Sequence, residues 1–93
     1  MEFNWNGKPW TITFVQEMPH EPPLPDDRCG DTIWANRAIR VKDGRSGKET
    51  LETIVHELMH ASLGQKATER RVENIGALVG GVLWRLGYRR RRR

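Results

Sequence analysis

The pattern of this 93-residue chain predicts an α+β fold, a small antiparallel sheet packed on two helices, the first carrying His-Glu-x-x-His. Three observations predict it. The first half alternates short apolar runs with turn signals, and the second half spaces its apolar residues at helical intervals. The third is that His56-Glu57-Leu58-Met59-His60 lies inside the first of the helical stretches.

Phe3-Asn4-Trp5 and the run 10–15 flank Asn6-Gly7, a strong hairpin signal because both residues tolerate positive φ. Trp10, Ile12 and Phe14 alternate with Thr11, Thr13 and Val15, as in a strand with one buried face. Pro9 suggests a strand start or an edge. Residues 16–30 carry Pro19, Pro22, Pro23 and Pro25, so this long connection is irregular but stiff. Loops of this length are often functional, and this one is a candidate wall for a substrate cleft. Its His20 reads as an exposed loop histidine. Residues 31–34 and 38–41 read as short extended segments around an Asn36-Arg37 turn, with Ile39 and Val41 towards the core.

Ser46, with Glu49 three residues on, has the form of a capping box and sets a helix start near Gly47 or Lys48. Leu51, Ile54, Val55, Leu58 and Ser62 then share one face, Thr53, His56 and His60 the neighbouring one, and Gly64 is a natural stop. Thr68 can cap a second helix running to Gly87, with Val72, Ile75, Val79, Val82, Leu83 and Leu86 at helical spacing. Gly76, Gly80 and Gly81 inside it imply close packing against the histidine helix, since each costs about 1 kcal/mol relative to Ala.

A chain of this length makes one domain with one core. Residues 89–93 are five arginines, and without them the formal charge of +4 becomes −1, so the basic character belongs to a tail. Residues 1–88 are therefore the expected domain and 89–93 a tail disordered by self-repulsion. The single cysteine, Cys29, excludes an internal disulfide and points to a reducing, cytoplasmic setting. No secretory signal is evident at the N-terminus, and the apolar stretch 75–86 is too short and glycine-rich to span a bilayer.

Histidines four apart on a helix are separated by about 40° of rotation and roughly 6 Å of rise, so both imidazoles can reach one metal ion. Glu57 lies beside a further coordination position, where water would sit. A catalytic zinc usually takes three protein ligands, and no histidine follows His60. Glu69 and Glu73, on one face of the second helix, are the candidates for the third. A helix hairpin pairs Glu69 with His60 and Glu73 with His56, and rise arithmetic does not separate them.

His56-Glu57-Leu58-Met59-His60-Ala61, followed by a helix carrying Glu69, resembles a minimal zincin of the gluzincin type. The likeness is to short SprT-like or ImmA/IrrE-like metallopeptidases, many of them phage-encoded. It covers roughly the second half of the chain, through the strand at 38–41, the lead-in Thr53-Ile54-Val55 and the helix start 69–76. The resemblance implies a zinc-dependent metallopeptidase with His56, His60 and Glu69 as ligands and Glu57 as general base. It also implies that Glu73 is an outer carboxylate steadying His56, and a cytoplasmic location, that of the host if a phage encodes the chain. The substrate would be a peptide or protein, with water activated by zinc and no covalent intermediate, so Cys29 need not be a nucleophile.

Arg37, His20 and Tyr88 are the candidates to stabilise an oxyanion, and the strand containing Ile39 is a candidate edge for an extended substrate. The rival is a non-catalytic binding module in which the His-Glu-x-x-His helix holds a structural metal or none and Arg89, Arg90, Arg91, Arg92 and Arg93 contact nucleic acid weakly through phosphates. Trp5, Trp10, Trp34 and Trp84 read as core and rim residues.

Overall fold

The computed structural model of the chain describes residues 1–25 and 27–90. Four strands, β1 (Glu2–Trp5), β2 (Lys8–Val15), β3 (Gly30–Ile33) and β4 (Ala38–Lys42), precede two helices, α1 (Gly47–Leu63) and α2 (Glu69–Arg85). Asn6 and Gly7 close the first hairpin at φ 52° and 74°, the left-handed pair that the Asn-Gly signal implies. Arg37, at φ 50°, closes the second, its N–H donating to the Trp34 carbonyl at 3.2 Å.

The sheet is mixed rather than wholly antiparallel. Its order is β1-β2-β4-β3, and β2 and β4 run parallel, with Ile12 beside Ile39 and Phe14 beside Val41. The cause is the long connection from β2 to β3, which joins them at one end of the sheet with one strand's width between, so that the second strand of the β3–β4 hairpin docks on β2. Parallel neighbours need a connection that returns along the sheet, and β3 itself makes that return here in place of a helix. As a result the strand containing Ile39 is internal, and the edges are β1 and β3, of which β3 lies beside α1.

Trp10, Ile12, Ile39, Val41 and Ala61 form the core, with Phe3, Phe14, Trp34, Ile54 and Leu58 packed around it. One side of α1 covers β3 and β4, and its other side carries α2, so α2 forms an outer layer. Two of the three interior glycines explain the closeness of the helices. A Cβ at Gly76 would sit 3.3 Å from the His56 Cα, and one at Gly80 would sit 2.9 Å from the Glu52 Cα. A Cβ at Gly81 would meet open space, so close packing does not account for that residue. Leu78 on α2 and Leu86 just past its end are exposed.

Both helix starts are capped by the hydroxyls that the sequence marks. Ser46 accepts the Glu49 N–H at 3.2 Å and donates to the Glu49 carboxylate at 2.9 Å, while Thr68 accepts the Arg71 N–H at 3.3 Å. Gly64 ends α1 at φ 77°, and its N–H donates to the His60 carbonyl. Among the described residues no helix is long and apolar enough to cross a membrane.

Candidate metal centre

The turn between Gly64 and Thr68 reverses the chain within a few residues, and Glu69 is the first residue of α2. Its carboxylate reaches back over the last turns of α1. Oε1 lies 2.7 Å from His56 Nε2, and Oε2 lies 2.9 Å from His60 Nε2. The expected one-to-one pairing of levels is replaced by a single carboxylate bridging both imidazoles. Glu73, a turn further along α2, is exposed on the wall of the same cavity, and no hydrogen bond joins it to His56.

The donor set could hold a metal ion. His56, His60 and Glu69 each offer an atom, and these atoms lie within 4.8 Å of one another. Tetrahedral donors about 2.0–2.1 Å from zinc stand roughly 3.3 Å apart, so the two close contacts need to open by about half an ångström. Glu69 can supply that movement, because its side chain is 70% exposed while those of His56 and His60 are 19% and 11% exposed. The histidines are held more firmly. Gly76 packs on the His56 backbone, and the Trp34 indole donates to the His60 carbonyl at 3.3 Å with its ring edge-on to the imidazole.

Glu57 is buried beside this set, at 6% exposure, with Oε2 3.9 Å from His56 Nε2. Burial pushes its carboxyl above the ordinary carboxylate range, while a hydrogen bond from Thr32 and the nearby histidines pull it back. The Thr32 hydroxyl lies 2.8 Å from Glu57 Oε1 and 3.2 Å from the Glu57 carbonyl.

Compared with family models, curated proteins and solved structures, the chain finds no match. The site therefore stands on its own geometry.

Two clefts meet at Glu57 and Glu69. One, of about 420 Å³, runs between α1 and the proline-rich loop and is walled by Leu24, Pro25 and Trp34. The other, of about 470 Å³, lies towards Arg45, Glu52 and Glu73. The loop forms a wall despite its lack of regular structure, because Arg28 donates to the carbonyls of Pro19 at 2.8 Å and Pro25 at 3.0 Å. Arg28 also pairs with Asp31 on β3, and Asp31 accepts from Arg40.

Cys29 lines the second cleft in contact with the Arg45 guanidinium. None of the three oxyanion candidates lines either cleft. Arg37 donates to the Pro9 carbonyl beside a different hollow, Tyr88 lines an apolar cavity next to Leu51 and Trp84, and His20 is exposed in the connection between β2 and β3. Arg89 and Arg90 lie against aromatic rings. Their guanidinium groups lie 3.4 Å from the ring centroid of Trp84 and 3.5 Å from that of Phe14, and Arg90 also pairs with Asp43. Arg91, Arg92 and Arg93 lie outside the described residues.

Thr32, Gly30 and Trp34 belong to the site although no motif marks them. Alternation along the strand places the three on one face, and the sequence pattern did not indicate that this face meets Glu57 and His60.

Proposed function

We propose that this chain is a zinc-dependent metallopeptidase acting on peptides or proteins. The observation that carries the reading is the convergence of His56, His60 and Glu69 on one point beside the buried carboxylate of Glu57. Two imidazoles and one carboxylate, leaving a coordination position open, are a donor set suited to catalytic rather than structural zinc. Bound there, zinc would lower the pKa of a water molecule towards 7 and polarise the peptide carbonyl.

In this reading Glu57 takes the attacking water's proton and delivers it to the leaving nitrogen. His56 and His60 would hold the ion through their imidazoles and Glu69 through its carboxylate. The edge strand β3 offers main-chain partners to an extended peptide, which the two clefts would hold on either side of Glu57. Glu73, on the cavity wall near His56, is placed to influence the site from outside the ligand set. The single cysteine supports activity in a reducing cytoplasm, which would be the host's for a phage-encoded chain.

The test is cleavage of a peptide library by zinc-loaded wild type and by Glu57→Gln. The proposal expects both proteins to hold zinc and only the wild type to cleave. A zinc-loaded wild type that cleaves nothing would overturn it.

A further inference from the structure

We propose that Thr32 couples substrate to base, its main chain pairing with an extended peptide while its hydroxyl holds the Glu57 carboxylate. The inference rests on the peptidase reading above, and it gives β3 a second task beyond closing the sheet.

The main-chain half follows from register. Gly30 stands opposite Val41, Asp31 opposite Arg40 and Thr32 opposite Ile39. In an antiparallel ladder, pairs that exchange hydrogen bonds alternate with pairs that do not. The Lys42 N–H donates to the Cys29 carbonyl at 2.7 Å, which makes 29 and 42 a bonded pair and, two steps along, 31 and 40 another. Gly30 and Thr32 fall between, so their N–H and C=O groups turn away from β4. Because β3 is the outermost strand, they turn towards an open edge.

The side-chain half follows from alternation. Gly30 and Thr32 share the face of β3 that meets α1. A Cβ at Gly30 would lie 2.9 Å from Thr53 Cγ2 and 3.2 Å from Glu57 Cγ, so the glycine leaves room for the buried carboxylate. Two residues on, the Thr32 hydroxyl, 2.8 Å from Oε1, holds that oxygen. The other oxygen, Oε2, is the one that faces His56 Nε2 at 3.9 Å. Thr32 thus fixes the carboxylate's rotation and leaves Oε2 turned towards the ligand set to accept a proton. A peptide paired with the Thr32 main chain would be placed in register with that oxygen. Thr32 is a positioning residue for the base and a main-chain contact for the substrate.

The experiment compares zinc-loaded wild type, Thr32→Val and Thr32→Ser. Valine keeps the shape and loses the donor. It should leave zinc stoichiometry and KM unchanged and lower kcat on the order of 100-fold, the scale of a misplaced catalytic group. Serine should restore most of kcat. A second readout uses the metal-free protein, in which Thr32→Val should lower the urea midpoint more when residue 57 is Glu than in Glu57→Leu, which has no acceptor for the hydroxyl. If Thr32→Val turns over like an active wild type, or if the two effects on the midpoint simply add, the coupling is overturned and the peptidase reading survives. If zinc-loaded wild type cleaves nothing, the peptidase reading falls and takes this inference with it.

Discussion

Alanine placed at Gly80 and at Gly81 should move stability in opposite directions. Both residues lie in the interior of α2, where replacing glycine by alanine gains about 1 kcal/mol of helix propensity. At Gly81 nothing opposes that gain, because the added methyl meets open space. At Gly80 it would lie 2.8 Å from Glu52 Cγ, 2.9 Å from Glu52 Cα and 3.2 Å from Glu52 N. Two of those atoms are backbone, so a rotamer change in Glu52 does not relieve the clash and the helices must part. Overpacking of this kind costs about 1–3 kcal/mol, which offsets or exceeds the propensity gain. The two variants should therefore differ by about 1–3 kcal/mol. At about 4–8 °C per kcal/mol for a domain of this size, their melting temperatures should stand at least about 4 °C apart, with Gly81→Ala the higher. Thermal denaturation of the metal-free proteins measures this directly. Zinc affinity supplies the second half, since parting the helices carries Glu69 away from His56 and His60, and Gly80→Ala should bind zinc more weakly than Gly81→Ala. Equal melting temperatures would refute the close approach of α1 and α2 that positions the ligands.

Further expectations follow from single residues. Burial raises the folded-state pKa of Glu57, so in the metal-free protein the native state holds more protons than the unfolded state from about pH 4.5 up to that raised value. Stability of the wild type relative to Glu57→Gln should fall as pH rises through that window and level off above it, in urea titrations run at a series of pH values. Glu69→Gln should weaken zinc binding far more than Glu73→Gln, whose effect should stay within the roughly 10- to 100-fold typical of residues outside the ligand set, as measured by calorimetry. Ser46→Ala should cost about 1 kcal/mol in the same denaturation assay, because it removes the acceptor for the Glu49 N–H at the start of α1.

Much of this arrangement is written in local sequence signals. The His56–His60 spacing, the Ser46 and Thr68 caps, the stop at Gly64 and the Asn6-Gly7 turn each act within a few residues, and each element forms where its signal lies. The parallel pairing of β2 with β4 is of another kind. It depends on the path of residues 16–29, which have no periodicity and are held by Arg28 reaching carbonyls as far away as Pro19. The same applies to the identity of the open edge, since alternation in 30–34 shows two faces without saying which strand lies outside. Glu69 and Glu73 share a helix face, and only the shape of the turn at 64–68 decides that Glu69 touches both imidazoles. Thr32 carries no signal, because a threonine in a strand is ordinary until Glu57 lies against it.

The most direct test of the account is the zinc content of the purified protein, read beside its melting temperature with and without chelator. One zinc per chain is expected, lost in His56→Ala and in His60→Ala. Zinc at a hundredfold excess over its dissociation constant should stabilise the fold by about 2.7 kcal/mol, a rise in melting temperature of about 10 °C or more. A protein that carries no zinc, takes up none when it is offered and melts identically in chelator would contradict the metal centre.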